Sequence, residues 1–391
     1  MLNLKKWFVR WGIPVVLLAA FVIFTVYINQ VDKVALVNRE GQTFEKGVVT
    51  EILQDNLQPN GTRVGEQRVL VRLTTGVRAG QELETTSASG YLFGAGCTVG
   101  MRVIVLQSVA GDSTITSIYS QDREWVIYAF AAAYLVVLCL VGGKQGIKGA
   151  LGLVFTFFCI LFVYLPLVYR GLSPFWVSVF ICVITTLVTM YLIGGPTRKT
   201  LVATGGTVAG VVIAGISATI FSMATGITGW NVSDIESLLT LASTSGVQVG
   251  GLLFSGLLIS SLGAVMDVAM SIGSAIAEIH AQNPALSRGE LFKAGMHVGR
   301  DMMGTDSNTL ILAFAGGSIS MLVLDYAYDL PWLQIINSNN IGIAIMQGLS
   351  GSFGIVLAVP VTVALAVALY TWKRPNRAET APAEDASRQT R

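Results

Sequence analysis

The sequence has little charge and almost no histidine. Asp, Glu, Lys and Arg make up 12% of its 391 residues, and there are two histidines. Soluble globular domains carry about 25% charged residues. The shortage of charge therefore argues against a soluble globular protein, and the 53% hydrophobic residues predict a protein with several membrane-spanning segments.

Common catalytic and metal-binding motifs are absent from the sequence as well. The four cysteines, at positions 97, 139, 159 and 182, have no cysteine–histidine spacing typical of zinc. There is no His-Glu-x-x-His, no phosphate-binding loop and no Gly-x-Gly-x-x-Gly. We therefore expect no enzymatic activity and no cofactor, and the sequence leaves metal binding open.

Long apolar runs are what the sequence has in abundance. A helix needs about 20 apolar residues to cross a bilayer, and eight segments meet or approach that length. They are 12–28, 124–141, 149–169, 174–194, 200–224, 247–266, 303–324 and 341–370. The sequence thus predicts an all-α membrane bundle of about eight transmembrane helices, with residues 1–28 as an uncleaved N-terminal anchor.

The basic residues between these segments predict the orientation of the chain. With the N-terminus inside, the cytoplasmic loops contain Lys144, Lys148, Arg198, Lys199, Arg288, Lys293 and Arg300. The outer loops of the bundle contain Arg170 alone. By the positive-inside rule we expect both termini in the cytoplasm, with residues 373–391 forming a disordered cytoplasmic tail.

Residues 29–122 differ in composition and are expected on the extracytoplasmic side. Short runs of alternating or β-branched residues occur at 47–53, 67–73, 101–106 and 113–118. This spacing predicts a five- or six-stranded small β-barrel, OB-like in outline, inserted between the first and second helices. Residues 123–372 would then form a seven-helix transmembrane domain. No nucleic-acid binding is expected, because carboxylates balance the arginines of the β domain.

Glycines in the apolar segments predict close helix packing. Gly206 and Gly210 form a Gly-x-x-x-Gly pair, Gly250 lies in the sixth segment and Gly304 lies in the seventh. Small residues allow helices to approach each other closely in lipid. The alternative, which glycine also permits, is a helix break along a substrate path.

A polar stripe continues from the sixth apolar segment. Four of its residues fall on one helical face: Asp267, Ser271, Ser274 and Glu278. Asn283-Pro284 should end that helix, and Ser287 with Glu290 fits a capping box that would begin the next one. Residues 267–300 are therefore expected to form a cytoplasmic helical connector whose polar stripe faces the bundle.

Polar residues also mark the start of the seventh apolar segment. Asp301 and Asn308 lie within about 40° of each other on a helix, with Gly304 and Thr305 on the same stripe. Asp306 lies about 140° from Asp301, on a different face. The stripe suggests room for water or an ion beside the two polar side chains.

These two stripes supply the candidates for a transport or ion-binding site. Carboxylates in a bilayer are costly and commonly functional, and with hydroxyl and amide neighbours they suit cations or proton coupling. The candidates are Asp267, Asp301, Asn308, Asp306, Thr305, Ser271, Glu278 and Arg300. The alternative is that the carboxylates lie at the membrane surface, paired with Arg300 or Lys293.

Two stretches carry a resemblance to a known family. Residues 260–279, "SSLGAVMDVAMSIGSAIAEI", and 290–317, "ELFKAGMHVGRDMMGTDSNTLILAFAGG", resemble the YibE/F-like bacterial membrane proteins. The positions that match the family's motifs are Asp267, Arg300, Asp301, Gly304, Asn308 and Thr309. Asp306 departs from the family pattern, where an apolar residue is usual. The resemblance implies a multi-pass protein of the bacterial inner membrane that is regarded as a transporter.

Two functional interpretations follow. The first is a membrane transporter or channel for a small solute or ion, with a polar site near the cytoplasmic side. The second is an envelope scaffold or accessory subunit whose external β domain, residues 29–122, binds a partner protein. The lipid bilayer is an expected partner in both cases, and a homo-oligomer is left open.

Overall fold

A computed structural model describes residues 13–31, 33, 41–88, 93–110, 113–232 and 235–371. The predicted tail at 373–391 and the start of the predicted anchor lie outside the described residues. The chain divides into two compact units. One is Ala35–Val141, and the other combines Met1–Val34 with Gly142–Arg391.

The first unit contains a closed five-stranded β-barrel, which confirms the predicted β domain. The strands are β1 (Gln42–Gln54), β2 (Gln67–Leu73), β3 (Glu82–Ser87), β4 (Arg102–Ala110) and β5 (Ser113–Gln121). They follow one another around the barrel in the order β1-β2-β3-β5-β4. β4 returns to lie beside β1 as in a Greek key, and β3 pairs with β5 in parallel. Five strands in this arrangement agree with the OB-like outline.

A buried glutamine organises the polar part of the barrel interior. Gln67 Nε2 donates to Asp55 Oδ1 at 2.8 Å and to the carbonyl oxygen of Cys97 at 3.3 Å. The Cys97 N–H in turn donates to Gln67 Oε1 at 2.7 Å. Burial raises the pKa of the Cys97 thiol. Cys97 is therefore a structural side chain of the barrel core rather than a reactive thiol.

Eleven α-helices are present among the described residues. They are α1 (Ile13–Asn29), α2 (Glu124–Cys159), α3 (Leu165–Tyr169), α4 (Pro174–Gly194), α5 (Arg198–Thr225), α6 (Ile235–Ser245), α7 (Leu252–Gln282), α8 (Arg288–Gly317), α9 (Ile319–Ala327), α10 (Trp332–Ile336) and α11 (Asn339–Thr371). A π-helical turn, Ile160–Tyr164, links α2 to α3, and the turn Val249–Gly251 precedes α7.

Five helical stretches are long and apolar enough to cross a membrane, or six if α8 and α9 together form one bent span. The expected number of eight is not confirmed. The predicted segments 124–141 and 149–169 belong to one stretch of 46 residues, Glu124–Tyr169. The predicted segment 303–324 is broken, since α8 ends at Gly317 and α9 continues at an angle of 56°. The described part of the N-terminal helix α1 has 17 residues, and the residues that precede it lie outside the described part of the chain.

The core of the helical unit lies where α5, α7 and α8 pack around α11. Its buried side chains include Val265, Val268, Ile272, Ile276, Leu310, Ile355, Val359 and Val363. Two glycines allow α5 to approach α11 closely. A Cβ on Gly206 would come within 2.1 Å of Thr362 Oγ1, and one on Gly210 within 3.0 Å of the Gly354 carbonyl oxygen.

The other two glycines predicted to pack helices have different surroundings. Gly250 lies against the indole of Trp230, whose Nε1 would be 3.1 Å from an added Cβ, so it packs against a loop. Among the described residues, no atom lies within 4 Å of a Cβ added at Gly304. The helix-packing prediction for Gly304 is therefore wrong for the single chain, because Gly304 lies on the outward face of α8.

Candidate functional site

The polar stripe of α7 faces away from the packed core. Asp267 and Glu278 are exposed and Ser271 is half-buried, whereas Ile272 and Ile276 on the opposite face are fully buried. The expectation that this stripe faces the bundle is therefore wrong for the single chain. The physical reason is that the apolar face of the same helix fills the core against α8 and α11.

The connector itself has the expected local structure. α7 ends at Gln282, and the Ala285 N–H donates to the side chain of Asn283 at 3.1 Å. Ser287 and Glu290 form the predicted capping box at the start of α8, each side chain accepting from the other's backbone N–H. The predicted turn and capping box are confirmed, and they direct α8 back along α7.

Helix α8 has two faces of different character. Its inward face packs through Gly295 against Ile276 and through Gly299 against Ile272. Its outward face carries the exposed residues His297, Asp301, Gly304, Thr305 and Asn308. Thus Asp301, Asn308 and Thr305, which were predicted to belong to one site with Asp267, instead lie on the side of α8 that is turned away from the core.

Asp306 is the acidic residue of α8 that approaches Asp267. It is half-buried, and it lies on the same face of α8 as Gly295 and Gly299, which pack against α7. The packing of Gly295 on Ile276 and of Gly299 on Ile272 sets the register of the antiparallel helices, which brings Asp267 level with Gly304. Asp306, two positions further along α8 than Gly304, is therefore at nearly the same height as Asp267.

The height of Asp267 along α7 is compatible with a position inside a bilayer. Asp267 follows Leu252 by 15 residues, which corresponds to about 22 Å along a helix axis. The hydrocarbon layer of a bilayer is about 30 Å thick. If the apolar part of α7 begins at one surface, Asp267 lies within the layer and toward its far side.

Within the described residues, no salt bridge neutralises these acidic side chains. The salt bridges found there all lie in the barrel unit. Arg300 is exposed and makes no ion pair with Asp301, and Glu278 accepts a hydrogen bond from Gln282 Nε2 at 2.9 Å. The alternative pairing of Asp301 with Arg300 is therefore not seen in the chain.

Ser307, which the sequence reasoning missed, is a further polar residue on the packed side of α8. Its Oγ is buried and has no hydrogen-bond partner among the described residues. Its carbonyl oxygen accepts from Ser352 Oγ of α11 at 3.3 Å. A buried hydroxyl without a partner is costly, so Ser307 is a natural ligand for a polar solute or water next to Asp306. In the sequence, Ser307 could have been identified from its position between Asp306 and Asn308.

Metal binding finds no support in the part of the chain that the structure describes. No group of three or more His, Cys, Asp or Glu side chains there is arranged to hold a metal ion. The carboxylates of Asp267 and Asp306, with hydroxyl groups nearby, are suited instead to a proton or a weakly held cation.

A comparison with protein families identifies the chain. Residues 130–372 match the YibE/F-like protein family. The chain belongs to this family. The match covers α4 to α11 and most of the stretch Glu124–Tyr169, and it leaves the β-barrel outside. No curated protein and no solved structure matches the chain. Family membership, together with the apolar helices, makes this a membrane protein.

Proposed function

We propose that this YibE/F-like protein transports a small cation, or a solute coupled to protons, through a polar site near the cytoplasmic side of a bacterial inner membrane. The observation that supports this proposal is the position of Asp306 on the face of α8 that packs against α7, at nearly the same height as Asp267. In this proposal the protein is not an enzyme.

The chemistry of this acidic pair favours a positively charged occupant. Two carboxylates at one height inside a bilayer do not both remain ionised unless a proton or cation lies between them. The unpartnered hydroxyl of Ser307 adds an oxygen ligand on the same helix. Uptake and release of the occupant would alternately neutralise and restore the pair, which is the requirement for a transport site.

The break between α8 and α9 supplies a structural element of the kind found at transport sites. The chain bends by 56° at Ser318, beyond Gly316 and Gly317. Broken helices in transporters place unsatisfied backbone groups along a substrate path. The outward residues Thr305 and Asn308 would form the polar approach to the pair, on the side not covered by α7 and α11.

The test is flux through purified protein in proteoliposomes, with a pH-sensitive dye inside and a proton, sodium or potassium gradient imposed. Asp267→Asn and Asp306→Asn should each reduce flux at least about tenfold, because each removes half of the acidic pair. Asp301→Asn is the matched control, since it neutralises an exposed carboxylate on the same helix. The detergent-solubilised variants should elute as monodisperse as the parent.

Three outcomes would count against the transport proposal. Full flux in both Asp267→Asn and Asp306→Asn would remove the acidic pair from the mechanism. Loss of flux in Asp301→Asn with normal flux in Asp306→Asn would place the site on the outward stripe instead. If no gradient is dissipated by the parent protein under any condition, the transport proposal fails as a whole.

The scaffold alternative depends on the barrel. Phe44 and Tyr119 lie on its surface with ring centroids 5.2 Å apart, in an edge-to-face arrangement, and are 46% and 53% exposed. Exposed aromatic side chains are common at protein–protein contacts. An envelope partner bound there should be retained by the parent after cross-linking in cells and lost from a Phe44→Ser, Tyr119→Ser variant that still inserts normally.

A further inference from the structure

The barrel unit contains a cavity of about 500 Å³ that the proposed transport site does not use. It lies where the barrel meets the first turn of α2. Its lining residues are Lys46, Gly47, Val48, Thr74, Arg102, Asp122, Glu124, Trp125 and Tyr128. Its volume is within the range of small-molecule sites, which is about 300–1,000 Å³.

The position of this cavity along the chain places it at a membrane surface. From Trp125 to Val141 the helix has no charged residue, and it begins a candidate membrane span. Asp122 and Glu124 immediately precede that apolar run, so they lie at the level of the lipid headgroups. Trp125 and Tyr128 are the residue types enriched at this level.

One side of the cavity is positively charged. Lys46 Nζ donates a hydrogen bond to Glu124 and lies 4.0 Å from Asp122, and the hydrogen bond to Glu124 raises the pKa of the ammonium group. Arg102 is exposed and has no ion-pair partner among the described residues. Arg102 is therefore the cationic group of the cavity that is available to a phosphate.

The other side of the cavity is acidic and aromatic. Trp125 and Tyr128 are three residues apart on α2, so they share one face of the helix. Asp122 and Glu124 lie beside them, and the Asp122 side chain is only 11% exposed. An ammonium group is attracted both by such carboxylates and by the faces of aromatic rings.

We propose that this cavity binds the headgroup of a zwitterionic phospholipid, with the phosphodiester on Arg102 and the ammonium group beside Trp125, Tyr128 and the two carboxylates. The two cations and two carboxylates of the cavity sum to zero, which suits a ligand without net charge. A purely anionic headgroup would bring no ammonium group to the rings of Trp125 and Tyr128. The site would anchor the barrel to lipids of the leaflet that it touches.

The experiment is native mass spectrometry of the full-length protein purified in detergent. It uses phosphatidylethanolamine and phosphatidylglycerol with identical acyl chains, and soluble glycerophosphoethanolamine and inorganic phosphate as competitors. We expect phosphatidylethanolamine to bind more tightly than phosphatidylglycerol. We expect glycerophosphoethanolamine to displace it only at much higher concentration, and inorganic phosphate not to displace it.

Matched variants assign the binding to the cavity. Arg102→Gln should weaken phosphatidylethanolamine binding at least about tenfold, as expected for loss of a hydrogen bond to a charged group. Arg123→Gln removes the same charge one residue before Glu124, outside the cavity lining, and should change nothing. Trp125→Leu should weaken binding about two- to fivefold through loss of the ammonium–ring contact. Trp332→Leu is its control, because Trp125 and Trp332 are each 72% exposed.

Several results would overturn the proposal. The first is an equal effect of Arg102→Gln and Arg123→Gln, and the second is equal binding of the two lipids. The third is displacement of the lipid by inorganic phosphate, which would indicate a simple anion site. Glycerophosphoethanolamine binding as tight as that of the lipid would assign the cavity to a soluble ligand instead. Melting temperatures of all four variants within a few degrees of the parent would establish that the barrel is intact.

Discussion

At the residue scale, two glycines of the helical unit have very different surroundings. A Cβ on Gly210 of α5 would lie 2.4 Å from Val265 Cγ1 and 2.8 Å from Ala358 Cβ. A Cβ on Gly256 of α7 would meet no atom within 4 Å. Gly210 therefore sets the distance between α5, α7 and α11, whereas Gly256 has no such role among the described residues.

Alanine at these two positions should have opposite effects on stability. Gly210→Ala should lower the free energy of unfolding by about 1–3 kcal/mol, because neither Val265 nor the α11 backbone has room to move away. Gly256→Ala is the control and should be neutral or stabilising by up to about 1 kcal/mol, since alanine favours a helix over glycine. Thermal unfolding in detergent measures both. An unchanged melting temperature for Gly210→Ala would contradict the close packing of α5 on α11.

At the element scale, the 46-residue stretch Glu124–Tyr169 is interrupted at a single residue. Gly143 has φ 53° and ψ −132°, inside what is otherwise continuous helix. At about 1.5 Å per residue, the uninterrupted stretch would be about 69 Å long, more than twice the hydrocarbon thickness of a bilayer. A glycine whose backbone leaves the helical region therefore lies between the two apolar runs predicted from the sequence.

Substitution of Gly143 should destabilise the protein through backbone strain, although an added Cβ meets no neighbouring atom of the described residues. Gly143→Ala should destabilise the protein by about 1–3 kcal/mol, because an L-residue is strained at this backbone conformation. Gly142→Ala is the matched control, as Gly142 has no positive φ and an added Cβ there meets nothing. Melting temperatures and limited proteolysis near residue 143 would compare the two. Equal behaviour of both variants would mean that the helix is continuous through Gly143.

At the scale of the whole molecule, the distribution of basic residues predicts the barrel outside and both termini in the cytoplasm. The short loops assigned to the cytoplasm contain Lys144, Lys148, Arg198 and Lys199, and the outer loops of the bundle contain Arg170. Arg170 donates to the carbonyl oxygens of Tyr27 and Gln30 and lies over the Tyr27 ring, so it contributes to packing at that end.

Cysteine labelling in intact cells tests this orientation. A membrane-impermeant maleimide should modify Gln58→Cys in the barrel, and it should modify Thr380→Cys only after the cells are permeabilised. Cys97, Cys159 and Cys182 are buried and provide a low background, and Cys139 is replaced by serine. Labelling of Thr380→Cys but not of Gln58→Cys in intact cells would reverse the predicted orientation.

Some features of the helical unit were predictable because they depend on neighbouring residues. The capping box of Ser287 and Glu290 and the turn at Asn283 involve contacts within a few positions, so the sequence displays them directly. The number of spans was less predictable. Hydropathy marks apolar runs, but it does not say where the helical backbone breaks, as it does at Gly143 and at Ser318.

The sequence by itself determined the membrane class, the barrel and the presence of acidic residues in two helices, because composition and periodicity are local properties. Only the tertiary structure decided which of those residues meet. Asp301 and Asp306 are both acidic positions of α8, but the packing of Gly295 and Gly299 on α7 turns Asp306 toward Asp267 and leaves Asp301 outward. The rotation of a helix about its axis is set by the partner helix against which it packs, and the residue pattern of the first helix alone does not contain that information.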